Sequence, residues 1–282
     1  MVKLARTPLS ATDLSTILAS GSDFAFEMAV LAELDSLGFA CDHSHTYIDP
    51  VTQKIRQFDI RAKLSFPPDH HLRLSVECKN LQSFFPLVVH RVPRRDDEAF
   101  HDLIRYFPMP GSSIPPITDR TVFRNAGKSS RYRTGDLVGK RFDQVGKAPD
   151  GAPVIDDSDV FGKLSQALNS ANDLIQAAAH GSDRGIHCVL PIIVVPDGTL
   201  WAMDYDSHGA VIAAPHQVDE ATYFIGHSWP TEGIGSRSFT VSHLEVHTFK
   251  SLRSHAKALI DPPDIGLFPV PWKPEWAERL GA

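Results

Sequence analysis

Glu77 and Lys79 stand two residues apart in the run Leu-Arg-Leu-Ser-Val-Glu-Cys-Lys-Asn, residues 72–80. Leu72, Leu74, Val76 and Cys78 alternate there with Arg73, Ser75, Glu77 and Lys79, the period of a β-strand with one face in a core. That period puts Glu77 and Lys79 side by side. Asp59 lies upstream in Phe58-Asp59-Ile60. An acid on one strand and Glu-x-Lys on the next bring two carboxylates and an ammonium into one small volume. Converging carboxylates repel unless a cation joins them, and hard oxygens favour Mg²⁺ or Mn²⁺. The chemistry these residues suit is metal-assisted phosphodiester hydrolysis.

The elements that must position them read as helix, strand, strand, strand. Residues 10–19 suit a short lead-in helix. Ser20-Gly-Ser-Asp23 fits a capping box, and a helix is expected from there to Leu37, with Gly38 as its stop. Phe24, Leu31, Leu34 and Leu37, with Met28 beside them, form its apolar stripe, and Glu27 falls within that stripe. A glutamate aimed at a core needs a cationic partner. Residues 39–48 read as one strand and residues 55–64 as its antiparallel partner, with Asp59 on the face of Gln57, Arg61 and Lys63.

From residue 81 to 158 the pattern weakens, with Pro108, Pro110, Gly111, Pro115 and Pro116 as breakers. A helix is expected near residues 96–106. Residues 120–147 are the clearest basic stretch. Arg124, Lys128, Arg131, Arg133, Lys140 and Arg141 interleave with Phe123, Tyr132 and Phe142, a mixture suited to a nucleic-acid backbone and unstacked bases. Residues 159–179 keep helical spacing, and Lys163 and Gln166 lie close to the apolar stripe near its start. The apolar run 186–195 reads as a strand buried on both faces. Residues 200–205 and 238–246 read as further strands, 248–259 as a helix, and 261–282 as a proline-rich tail.

The chain has 282 residues, a net charge of −6 and three cysteines. The charge gives no general preference for nucleic acid, so any basic surface must be local. Cys41, Cys78 and Cys188 form neither a zinc motif nor a disulfide framework, which points to a reducing compartment. No apolar run follows the N-terminus, and the longest one, 186–195, is too short to span a bilayer and contains Pro191. The expectation is a cytoplasmic protein with no membrane partner. His43 and His45 share a strand face, but no third soft ligand stands at a matching spacing. His243 and His247 would pair only on a helix, and that stretch reads as strand.

A helix with an acid, a three-stranded meander carrying Asp and then Glu-x-Lys, a helix and a buried strand: this order resembles the PD-(D/E)XK nuclease superfamily. The matching residues are Glu27, Asp59, Glu77 and Lys79, with Gln166 or Lys163 on the following helix. The family's proline before the first acid is replaced by Phe58. The resemblance implies an α/β fold with a restriction-endonuclease-like αβββαβ core, a central mixed sheet flanked by helices. One domain is expected over 1–282, with its core at 20–80 and 159–260 and a long insertion at 81–158. Asp59 and Glu77 would hold Mg²⁺ (or Mn²⁺) with the backbone carbonyl of Cys78. Glu27 would contact a second metal or its water, Lys79 would orient the attacking water, and Gln166 would orient water or phosphate. The implied activity is a metal-dependent nuclease acting on DNA, in bacterial defence, restriction or repair. A non-catalytic nucleic-acid-binding or assembly module and a hydrolase of small phosphoesters are the alternatives. A homodimer or larger complex is left open.

Overall fold

The computed structural model describes residues 7–49, 52–67, 69–106, 117–122, 131–156, 158–180, 183–229 and 238–260. The chain opens with helices α1 (Ala11–Gly21) and α2 (Asp23–Ser36). Strands β1 (Ala40–His43), β2 (Thr46–Ile48), β3 (Ile55–Gln57), β4 (Ile60–Phe66) and β5 (His70–Cys78) follow. Next come β6 (Leu87–Pro93), β7 (Phe100–Tyr106), β8 (Ile117–Val122), β9 (Leu137–Lys147) and β10 (Pro153–Ile155). Helix α3 (Ser158–His180) leads into β11 (Gly185–Val195), β12 (Leu200–Asp204), β13 (His216–Gln217), β14 (Glu220–Trp229) and β15 (Phe239–Thr248), and α4 (Phe249–Ile260) closes the described chain.

One mixed sheet of 13 strands organises the fold, running β1-β4-β5-β11-β15-β14-β9-β6-β12-β13. β1, β4 and β5 are an antiparallel meander, and β11 lies parallel to β5. Every residue of β11 is buried, as a run that is apolar apart from His187 demands for a strand covered on both faces. Cys188, Leu190, Ile192 and Val194 face Val30 and Leu34 of α2 and Leu252, Ala256 and Leu259 of α4. On the other face, Val189 meets Leu168, Ala171 and Ile175 of α3. Among the described residues no helix is long and apolar enough to cross a membrane.

Several expectations change. Ser20 lies inside α1, so the capping box forms instead at Ser10, whose hydroxyl accepts from the Asp13 amide. On α2, Phe24 and Met28 are exposed, while Val30 and Leu34 are the buried positions. Glu27 therefore sits at the edge of the packed face. The two long strands each break in the middle. Ser44 takes a left-handed φ of 56°, and Phe58 and Asp59 leave the strand between β3 and β4. β2 and β3 then fold off as a separate two-stranded sheet.

Residues 81–158 are not an appended loop. They supply β6 to β10, five strands of the main sheet. The helix expected at 96–106 is a single 3₁₀ turn, Asp96–Glu98, followed by β7. His101 and Asp102 of that strand are fully buried, and Arg120 of β8 forks onto Asp102 at 2.6 and 2.9 Å. β14 had no counterpart in the sequence pattern. The proline-rich tail 261–282 lies outside the described residues.

His101 shows what these interior polar groups do to stability. It packs between Cys188 Sγ at 3.4 Å and Ser242 Oγ at 3.5 Å. Burial pushes its pKa down from 6.5 to about 4, so the folded protein holds it neutral while the unfolded chain takes up a proton below pH 6.5. Folding stability is then lost as pH falls from 6.5 to about 4, by roughly 3 kcal/mol for this group. Urea unfolding across that range should show a shallower pH slope in His101→Gln than in the unmodified chain. Equal slopes would mean His101 is not the titrating group.

Candidate active site

The site lies at the break before β4. Ile60 pairs with Val76, so Asp59, one residue earlier, falls beside Glu77. Asp59 Oδ2 accepts the backbone N–H of Cys78 at 2.8 Å, which locks the corner onto the end of β5. Ser44 N–H donates to the Asp59 carbonyl at 3.0 Å, tying the β1–β2 break to the same point. Helix α3 lies across β5, where Ser75 Oγ donates to the Ala167 carbonyl at 3.3 Å. Lys163, one turn before Ala167, therefore hangs over the strand's last residues. Its Nζ donates to Asp59 Oδ2 at 2.8 Å and to Glu77 Oε2 at 3.4 Å.

The charges do not balance. Glu77 is fully buried and Asp59 nearly so, while the Lys163 ammonium is the cation shared between them. Burial, the charge of Asp59 and a side-chain hydrogen bond to Asp59 raise the Glu77 carboxyl well above its ordinary value, against the pull of Lys163. Only a protonated carboxyl can make that bond to a carboxylate. With both acids ionised, Glu77 Oε1 is buried without a donor. Burial and the charge of Asp59 raise Glu27 as well, with His43 and Lys163 opposing. His43 Nε2 lies 3.2 Å from Glu27 Oε2 and 3.1 Å from Ser44 Oγ. For Lys163, burial works against the charge, but Glu77 and Asp59 outweigh it and hold the ammonium above its usual value.

The structure thus brings Glu27, Asp59 and Glu77 together and adds Lys163 as a cation shared by Asp59 and Glu77. Lys79 directly follows the last residue of β5. Its amide N–H donates to Val194 at 2.9 Å and its side chain is half-buried. Gln166 is drawn elsewhere, with Nε2 donating to the Gln57 carbonyl at 2.7 Å. The side chain of Cys78 points into the core, where burial raises its thiol far above the usual range; only its backbone faces the site. His43 is the neighbour that sequence reasoning missed, because the turn that delivers it is set by Ser44.

Among the described residues, cations of the basic stretch are paired with acids. Arg131 Nη1 lies 3.4 Å from Glu245, Arg133 pairs with Asp136 at 2.8 Å, Lys140 with Glu98 at 2.6 Å and Arg141 with Asp143 at 2.6 Å. Tyr132 and Phe142 are core residues, with Tyr132 stacked on His243 at 3.9 Å, so neither ring is open to a base. Phe123, Arg124 and Lys128 lie outside the described residues. Comparison of the chain with protein-family models, curated proteins and solved structures finds no match.

Hard oxygens with a surplus of negative charge suit a divalent ion. If the Lys163 ammonium and a metal serve the same carboxylates, each can stand in for the other. Lys163→Met should cost about 3 kcal/mol or more without divalent ions, since it leaves two buried carboxyls uncompensated. Mg²⁺ at millimolar concentration should raise the melting temperature of Lys163→Met more than that of the unmodified chain. Equal shifts in the two proteins would count against a shared cation site.

Proposed function

We propose that the chain is a divalent-metal-dependent phosphodiesterase of the nuclease type, acting on nucleic acid, with Asp59, Glu77 and Glu27 as its ion-holding carboxylates. The observation that carries this reading is the pair Asp59–Glu77, two buried acids held by the single ammonium of Lys163. A structural ion pair has no need of a second and third acid around one ammonium. Support also comes from the order α2, β1, β4, β5, α3, β11, with β11 parallel to β5. That order is the one an αβββαβ nuclease core requires.

Mg²⁺ or Mn²⁺ bound there supplies Lewis acidity toward a phosphoryl oxygen and an acidified water. The chain's own part is positional. The Cys78 amide fixes Asp59 Oδ2, and the Cys78 carbonyl is the backbone oxygen available beside it. Lys163 holds the two carboxylates together and sets positive charge where a phosphate must approach. Glu27, hydrogen-bonded to His43, keeps a third carboxyl at the rim. Lys79 follows immediately after β5, next to this group in the chain, and its role in orienting water rests on that placement.

A second reading, a hydrolase of small phosphodiesters, is favoured by one observation. Four of the six cations expected to track a polymer backbone are paired within the protein.

The test is cleavage of supercoiled plasmid, linear duplex, single-stranded DNA, RNA and a small chromogenic phosphodiester, with and without Mg²⁺. Glu77→Gln and Asp59→Asn should each lower the Mg²⁺-dependent rate by about 100-fold or more. Hydrolysis of the small diester alone would move the assignment to the second reading. Metal-independent binding without cleavage of any substrate would move it to a non-catalytic module.

A further inference from the structure

On the opposite face of the sheet, under α4, lies a second polar cluster that the proposed reaction does not use. Glu245 and His247 are two apart on β15 and share the face that α4 covers. His255 descends from α4, and its ring centroid lies 3.7 Å from that of His247. Glu220 of β14 is the cross-strand partner of His247. The side chains of His247 and His255 are almost fully buried, whereas Glu220 is largely exposed. One ligand atom from each of Glu220, His247 and His255 can be chosen so that all three lie within 4.8 Å of one another.

We propose that Glu220, His247 and His255 form a transition-metal site of the zinc type. Two imidazoles and a carboxylate are borderline nitrogen and oxygen donors, the set that Zn²⁺ takes in preference to Mg²⁺. His255 Nε2 is buried with no hydrogen-bond partner, which is costly for an imidazole nitrogen unless something fills the place. His247 is oriented for ligation. Its Nε2 lies 3.4 Å from Glu245 Oε2, leaving Nδ1 turned towards Glu220 Oε2 at 3.8 Å. A carboxylate behind a histidine, fixing its tautomer, is the usual outer support of a zinc ligand. Arg131 Nη1 stands between His255 Nδ1 at 3.3 Å and Glu245 Oε1 at 3.4 Å, so it can give up the imidazole and keep the carboxylate. The exposed Glu220 gives the ion a route from solvent.

A Ser-His-Glu hydrolytic triad is the rival reading of the same residues, since Ser251 Oγ lies 3.3 Å from His247 Nδ1. The Ser251 hydroxyl instead donates to the Asp219 carbonyl at 2.6 Å, and the residue is buried within α4. It is held as a helix-start hydrogen-bonding group, not as a nucleophile.

The experiment is titration of the metal-stripped full chain with Co²⁺, read by visible absorption, followed by competition with Zn²⁺. Co²⁺ should bind with the intense absorption of a low-coordinate nitrogen–oxygen site, distinct from the weak absorption of an oxygen-only site on the other face, and Zn²⁺ should displace it. Glu220→Ala, an exposed change that leaves the core intact, should weaken Co²⁺ about tenfold or more. Glu77→Gln, across the sheet, should leave the Co²⁺ affinity unchanged. Absence of Co²⁺-dependent absorption would overturn the proposal, as would an affinity equal in Glu220→Ala. Loss of the signal in Glu77→Gln would assign the ion to the other face. Because this readout involves no nucleic acid, it stands or falls separately from the phosphodiesterase reading.

Discussion

One ammonium is shared by two buried carboxyls, and the surrounding structure is arranged to hold that imbalance. Lys163 reaches Asp59 and Glu77 only because α3 crosses β5 at Ser75 and Ala167. Asp59 reaches Glu77 because the antiparallel register pairs Ile60 with Val76, and the corner between β3 and β4 lets its carboxylate accept the Cys78 amide. Burying charge this way is rarely a gain in stability. The arrangement persists because it is anchored by groups that cannot easily move: a sheet amide, a helix of 23 residues and a core on the far side of β5.

The paired strand breaks follow the same logic. Ser44 adopts a left-handed backbone, uncommon for a residue with a side chain, and its amide bonds the Asp59 carbonyl. The β1–β2 and β3–β4 corners are therefore stitched to each other. His43 is the last residue of β1 before its corner, and Asp59 sits in the other. Strain of this kind is tolerated where neighbouring structure over-determines it, and here the hydrogen bonds from the Phe58 amide to the His45 carbonyl and from the Ser44 amide to the Asp59 carbonyl do so.

Much of the core was legible in the sequence, and the reasons for the rest are specific. β5, α3, β11 and α4 each carry an unbroken pattern of one period, so they read correctly. Asp59 and Glu77 were found because adjacent antiparallel strands place such residues together. Lys163 drew less weight than Lys79 because no local pattern encodes which helix face will cross which strand. Residues 81–158 looked irregular because their strands bury polar residues in pairs. Arg91 is matched by Asp204, His90 by Asp143 and Arg120 by Asp102. Each half of such a pair reads as a surface charge when its partner is more than fifteen residues away. The histidines of β15 were passed over for the same reason: His247 acquires meaning only when α4 folds back to deliver His255.

β11 explains how two charged clusters coexist in one sheet. Ile193 pairs with Glu77 on one side and its neighbour Ile192 with Glu245 on the other. Successive residues of a strand point to opposite faces, so the two glutamates are forced to opposite sides of the sheet. Their backbones lie about 10 Å apart, two strand spacings, and their carboxylates, on opposite faces, lie farther apart still. Neither cluster can borrow the other's cation across a layer of isoleucine and valine. Each must therefore be compensated on its own face, by Lys163 from α3 and by Arg131 beneath α4. β11, fully buried along its length, is thus the partition that keeps the Asp59–Glu77 cluster and the Glu245–His247 cluster apart.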